Sequence, residues 1–96
     1  MLAIRPNCEH CGKNLTYNDK DAMICSFECT YCKVCALELF ENVCPSCGGN
    51  FVPRPIRPTA MLDKYPASKE RVYKPKDTAL INKMSDRYKN IEPEKR

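Results

Sequence analysis

The chain has 96 residues, room for one small domain and an appendage, with 16 lysines and arginines against 12 acids for a formal charge of +4. No apolar run approaches the roughly 20 residues needed to cross a bilayer, so no membrane-spanning helix is expected. Eight cysteines in so short a chain imply either a disulfide framework or metal ligands, and the compartment decides between them. The N-terminus, Met1-Leu2-Ala3-Ile4-Arg5-Pro6-Asn7-Cys8, lacks an apolar signal core, so a cytoplasmic chain with reduced, metal-binding thiols is expected.

Taken in order, the chain opens on Cys8-Glu9-His10-Cys11-Gly12, a pair of ligands two residues apart followed by a glycine that permits positive φ. His10 reads as an exposed residue inside this knuckle rather than as a further ligand. Met23 to Phe27 suits a strand or hairpin arm and leads into Cys25 and Cys29. Cys32 and Cys35 then stand at the start of a short helix expected from Lys33 to Asn42, with Val34, Leu37, Leu39 and Phe40 as its apolar face. Cys44-Pro45-Ser46-Cys47-Gly48-Gly49 forms a second knuckle. The expected core of this front half, Leu15, Ile24, Phe27, Leu37, Phe40, Val43 and Phe51, is thin. A structural zinc, at about 10–16 kcal/mol, would contribute more than such a core can.

Beyond Phe51 the composition changes. Six of the eight prolines lie past residue 52, and an extended segment without helix or central strand is expected over 53–76. An amphipathic helix is expected from about Thr78 to Ile91, capped by Asp77 or Thr78, with Leu80, Ile81, Met84, Tyr88 and Ile91 on one side. The expected organisation is a binuclear zinc domain over 1–52, a basic proline-rich segment over 53–76, the helix over 77–92 and a disordered end over 93–96. Residues 1–52 carry a net charge of −2 and residues 53–96 a net +6. With eight thiolates and two Zn²⁺ the front half reaches −6, equal and opposite to the tail. The helix is therefore expected to dock on the zinc domain or on a second chain.

Four pairs allow two groupings on two Zn²⁺ ions. Sequential pairing joins Cys8/Cys11 with Cys25/Cys29. Interleaved pairing joins Cys8, Cys11, Cys32 and Cys35 on one ion and Cys25, Cys29, Cys44 and Cys47 on the other. A helix over 36–42 advances roughly 10 Å and carries Cys44 away from Cys35, which favours interleaving.

The order C-x₂-C-x₁₃-C-x₃-C-x₂-C-x₂-C-x₈-C-x₂-C resembles the RING-finger cross-brace, with cysteine at all eight ligand positions. A second resemblance is to a bacterial family known only as a domain of unknown function. It rests on Arg5-Pro6-Asn7-Cys8-Glu9, Ile24-Cys25-Ser26-Phe27-Glu28-Cys29-Thr30, Cys44-Pro45 with Cys47-Gly48-Gly49, and Arg54-Pro55-Ile56-Arg57-Pro58, and covers about the first 75 residues. These resemblances imply a small zinc-stabilised α+β fold, a RING-like or treble-clef cross-brace with one short helix and a small hairpin. RING-type ubiquitin ligases typically show an aliphatic residue where this chain has Glu9, a cation where it has Gly48, and a tryptophan that it lacks. Fold alone does not confer their activity.

The expected function is a non-enzymatic zinc-binding interaction module, with a protein partner or a second copy of itself and no small-molecule substrate. The alternative is nucleic-acid binding through the basic tail, with Tyr65, Tyr73 and Tyr88 available to stack on bases. Less favoured are a zinc store or thiol redox sensor and a ligase.

Overall fold

The computed structural model describes all 96 residues. Three short strands, β1 (Ala22–Ile24), β2 (Thr30–Cys32) and β3 (Val52–Pro53), form an antiparallel sheet in the order β2-β1-β3. Met23 pairs with Tyr31 on one side and with Pro53 on the other. Pro53 has no N–H to give a ladder, and it sits on an edge strand, where none is needed. The β1–β2 hairpin turns through Cys25–Cys29, where Glu28 adopts φ 64° and its N–H donates to the Cys25 carbonyl at 3.0 Å. The strand expected to reach Phe27 therefore ends at Ile24. Phe27 lies in the turn and is 78% exposed.

The helix expected over Lys33–Asn42 is a single π-type turn, Val34–Leu39. The Phe40 N–H reaches back five residues to the Cys35 carbonyl at 2.8 Å. This wider turn shifts the phase of the side chains relative to an α-helix. Cys35, Ala36 and Phe40 point inwards, while Val34, Leu37 and Leu39 are exposed. The expected apolar face is corrected accordingly, and Leu37 leaves the core along with Phe27. Glu41 (φ 52°) and Asn42 (φ 61°) then take left-handed conformations that reverse the chain. Asparagine tolerates this geometry well, and the Asn42 Oδ1 accepts the Phe51 N–H at 2.9 Å.

The core is built on three rings. Tyr31 meets Phe40 edge-on at 4.9 Å between centroids and Phe51 at 5.6 Å. Leu15, Met23, Ala36 and Ile81 pack with them, alongside five of the cysteines.

The tail wraps back over this core, and arginines fasten it. The Arg54 guanidinium, 4% exposed, donates to the carbonyls of Arg5 and Thr16, both at 2.8 Å. Arg57 donates to the carbonyls of Leu2 and Tyr65. Arg71 donates to the Gly12 carbonyl and to the Asn14 Oδ1. The chain is extended between these clasps except for α1 (Thr59–Leu62), one turn that starts directly after Pro58. That turn corrects the expectation of a helix-free segment, because proline is tolerated at the entry of a helix.

The last long element, α2, runs from Thr78 to Tyr88 and docks on the front half of its own chain. Ile81 and Ser85 are buried, Met84 and Tyr88 half-buried and Leu80 exposed, so the inner face is rotated from the expected stripe. The Ser85 hydroxyl donates to the Glu41 carboxylate, and Lys89 pairs with the same carboxylate at 3.7 Å. Pro93–Lys95, expected to be disordered, form a 3₁₀ turn. It presents Arg96 to the carbonyls of Asn42 and Gly48, each at 3.1 Å, and these bonds hold the end in place.

Replacing Met84 with Asp puts a carboxylate against the Gly48 turn. The expected result is lower helicity by circular dichroism and a melting temperature several degrees below that of the parent chain. Unchanged values in both would show that α2 gains nothing from docking.

Candidate metal centre

The sulfurs of Cys8, Cys11, Cys32 and Cys35 all lie within 4.8 Å of one another. Two local structures bring them there. Cys8 to Gly12 is a tight turn in which the Cys11 N–H faces the Cys8 Sγ at 3.5 Å and the Gly12 N–H donates to the Cys8 carbonyl at 3.0 Å. Gly12 has φ +82°, a conformation that glycine adopts without strain. Cys32 ends β2, and Cys35 sits in the π-type turn that follows.

A second group joins Cys25, from the hairpin turn, to Cys44 and Cys47, again within 4.8 Å. Cys44 to Gly48 repeats the first turn: the Gly48 N–H donates to the Cys44 carbonyl at 2.8 Å, and Gly48 has φ +78°. The Phe27 N–H points at the Cys25 Sγ and the Gly49 N–H at the Cys47 Sγ, each at 3.4 Å. Such donors favour the thiolate form. Cys29 falls outside the mutual reach of these three sulfurs. The neighbouring thiols of Cys25 and Cys44 nevertheless pull its pKa well below the usual thiol range.

The opposite shift falls on Cys44, pushed far up by the neighbouring thiols of Cys25 and Cys29 and then by burial. In the first group, burial raises Cys35, with the Cys32 hydrogen bond adding to it. Sulfurs this close repel one another when all are ionised. A divalent cation removes that conflict and releases the protons. The spacing fits one: four sulfurs at about 2.3 Å from a tetrahedral zinc stand about 3.8 Å apart. The sulfurs of Cys11 and Cys32 are 3.8 Å apart. None of the eight cysteines is in a disulfide. Both groups could hold metal ions, and all-sulfur donor sets suit zinc.

His10 joins neither group. It is half-buried rather than exposed, because its ring meets Phe40 edge-on at 5.2 Å and its Nδ1 accepts the Lys76 N–H at 2.9 Å. Burial, followed by the charge of Lys76, lowers its pKa.

Three residues that sequence reasoning passed over set the site's geometry. Glu9 is 8% exposed. Its carboxylate accepts the Thr30 N–H at 2.6 Å and its own N–H donates to the Thr30 carbonyl, which ties the first turn to β2. Asn7 donates from Nδ2 to the carbonyls of Cys8 and Val72, linking the same turn to the tail. Arg54 clasps the loops on either side of it. Only a charged or amide residue close to a ligand hints at such roles, and that signal does not say which partner it serves.

No helix is long and apolar enough to cross a membrane. No solved structure matches the chain. An uncharacterised protein, R02474, from Rhizobium meliloti (strain 1021) is 54% identical over 79 residues, which span 82% of this chain and 94% of that protein. Residues 1–57 match the family described as a protein of unknown function, DUF1272. That stretch holds all eight cysteines, and the chain belongs to this family.

Proposed function

We propose that the chain is a zinc-stabilised interaction module, with two structural Zn²⁺ ions held in an interleaved, RING-like cross-brace. Cys8, Cys11, Cys32 and Cys35 form one site. Cys25, Cys29, Cys44 and Cys47 form the other, with Cys29 drawn in by the cation. The observation that carries this reading is the gathering of sulfurs from alternate pairs within 4.8 Å of one another, with Cys11 and Cys32 at the 3.8 Å a tetrahedral zinc requires. A site closed by four cysteines leaves no position for substrate, which supports a structural rather than a catalytic role. Phe27 and Val34, exposed at 78% and 60%, are candidates for contact with a protein partner or a second copy. The arginines Arg54, Arg57, Arg71 and Arg96 donate to carbonyls of the chain itself, which weighs against a tail held free for nucleic acid.

Native mass spectrometry is expected to show two zinc ions per chain, and zinc X-ray absorption four sulfurs per ion. A single ion, or oxygen or nitrogen in the first shell, would refute the assignment. Excess EDTA is expected to collapse the amide dispersion of residues 1–52 and to melt α2, which docks on the second knuckle. Persistent dispersion after metal loss would show that the three-ring core folds unaided. The double variant Phe27→Ser, Val34→Ser is expected to bind zinc normally while losing self-association in sedimentation or cross-linking to a partner. Unaltered association would place the interaction surface elsewhere.

A further inference from the structure

The two cysteine groups are covered unequally. In the first, Cys8, Cys32 and Cys35 are buried at 0%, 3% and 5% exposure, while Cys11 is exposed. In the second, no cysteine is exposed: Cys25 and Cys44 are buried, and Cys29 and Cys47 are half-buried. Each knuckle carries a tail tyrosine and a tail arginine, Tyr73 and Arg71 at Gly12 and Tyr88 and Arg96 at Gly48, but only the second is roofed by a helix. The Tyr88 ring and the Met84 methyl stand 3.0 and 3.4 Å from where a Cβ on Gly48 would sit, and Arg96 holds the Gly48 carbonyl. The Cys47 sulfur is further engaged by the Gly49 N–H and the Ser26 hydroxyl, each at 3.4 Å.

Resting on the zinc reading above, we propose that Cys11 is a thiol oxidation site, at which a hydroperoxide forms a Cys11–Cys32 disulfide and frees one of the two zinc ions. The chemistry balances in two steps. The Cys11 thiolate attacks the distal oxygen of the hydroperoxide and breaks the O–O bond. It becomes a sulfenic acid, and the alkoxide or hydroxide that leaves takes up a proton. The Cys32 thiolate then attacks the Cys11 sulfur and expels hydroxide, completing a two-electron oxidation of the pair. Cys32 is the resolving partner because its sulfur is already 3.8 Å from that of Cys11. Bonding requires the sulfurs to close to about 2.05 Å, a movement made at Cys11, the one exposed residue of its turn. With two ligands lost, Cys8 and Cys35 no longer retain the ion, whereas the roofed group keeps its own.

The test uses the full-length, zinc-loaded chain. Native mass spectrometry first establishes two ions per chain; fewer would defeat the zinc reading itself and this inference with it. Hydrogen peroxide is then added while a chromogenic chelator records zinc release and alkylation with peptide mass mapping locates disulfides. One equivalent is expected to leave several-fold faster than the second, with a Cys11–Cys32 disulfide accumulating in step. Dithiothreitol with added zinc should restore two bound ions. Simultaneous release of both ions would overturn the inference while leaving the zinc reading intact. So would a first disulfide among Cys25, Cys29, Cys44 and Cys47, or two ions retained after Cys11 has been oxidised.

Discussion

Eight sulfurs drawn into two tight groups set the terms for the rest of this molecule. As thiolates they repel one another, and as thiols they are small weak hydrophobes that fill a core poorly. Five of them nevertheless pack in the principal core cluster beside Tyr31, Phe40 and Phe51. The rings supply apolar area, but they are few, and a front half of about fifty residues buries too little to hold so many sulfurs together. A cation in each group would convert the least favourable feature of the core into its strongest bond. Because the groups draw on alternate pairs, each ion would also tie together segments that are far apart in sequence. Cys8 meets Cys35, and Cys25 meets Cys47. Between the two groups runs β2, so the hairpin is fixed from both ends.

Short strands and tight turns leave many carbonyls without ladder partners, and the basic tail answers that need. Arg54 and Arg57 each donate to two carbonyls, Arg96 to three, and Arg71 to one carbonyl and the Asn14 amide. Planar guanidinium groups suit this task better than ammonium groups, because their N–H bonds point in fixed, divergent directions. Long-range attraction between a basic tail and an acidic core brings the halves together only loosely and is screened by salt. Directed bonds to backbone carbonyls fix the register. The charge asymmetry between the halves therefore has a structural use inside the chain before any partner is invoked.

What was legible in the sequence was local or periodic. The C-x-x-C turns with their glycines, a hairpin beginning near Met23 and a helix beginning at Thr78 could all be read from neighbouring residues. The composition of the two sulfur groups was nearly legible too, although the reason offered for it was only half right. No helix over 36–42 carries Cys44 away from Cys35; a π-type turn and the left-handed pair Glu41-Asn42 redirect the chain instead. That difference explains the error at Leu37, since a pattern count cannot foresee a turn one residue wider than an α-helix, whereas Phe27 left the core because β1 ends at Ile24 and the hairpin turns there. Ser85 escaped notice because a hydroxyl on an apolar face looks like an interruption until Glu41 is found opposite it. Clasps such as Arg54 to Arg5 span 49 residues, and no local pattern reports them.

The tail treats the two knuckles alike in form and differently in effect. Each ends in a glycine at positive φ, and each glycine lies beneath a tyrosine of the tail: Tyr73 over Gly12 and Tyr88 over Gly48. A side chain at either position would meet the ring as well as the strained backbone. Tyr73, however, is carried on extended chain and remains 62% exposed, whereas Tyr88 is carried on a helix that is itself anchored through Ile81, Ser85 and Arg96. The family match ends at residue 57, after all eight cysteines, Arg54 and Arg57 but before both tyrosines. The matched unit thus contains the sulfur groups and the first two clasps, and α2 adds its cover to one knuckle only. A helix that needs the second knuckle for its buried face, and a knuckle roofed by that helix, stabilise each other. The first knuckle has no such roof, and there Cys11 meets solvent.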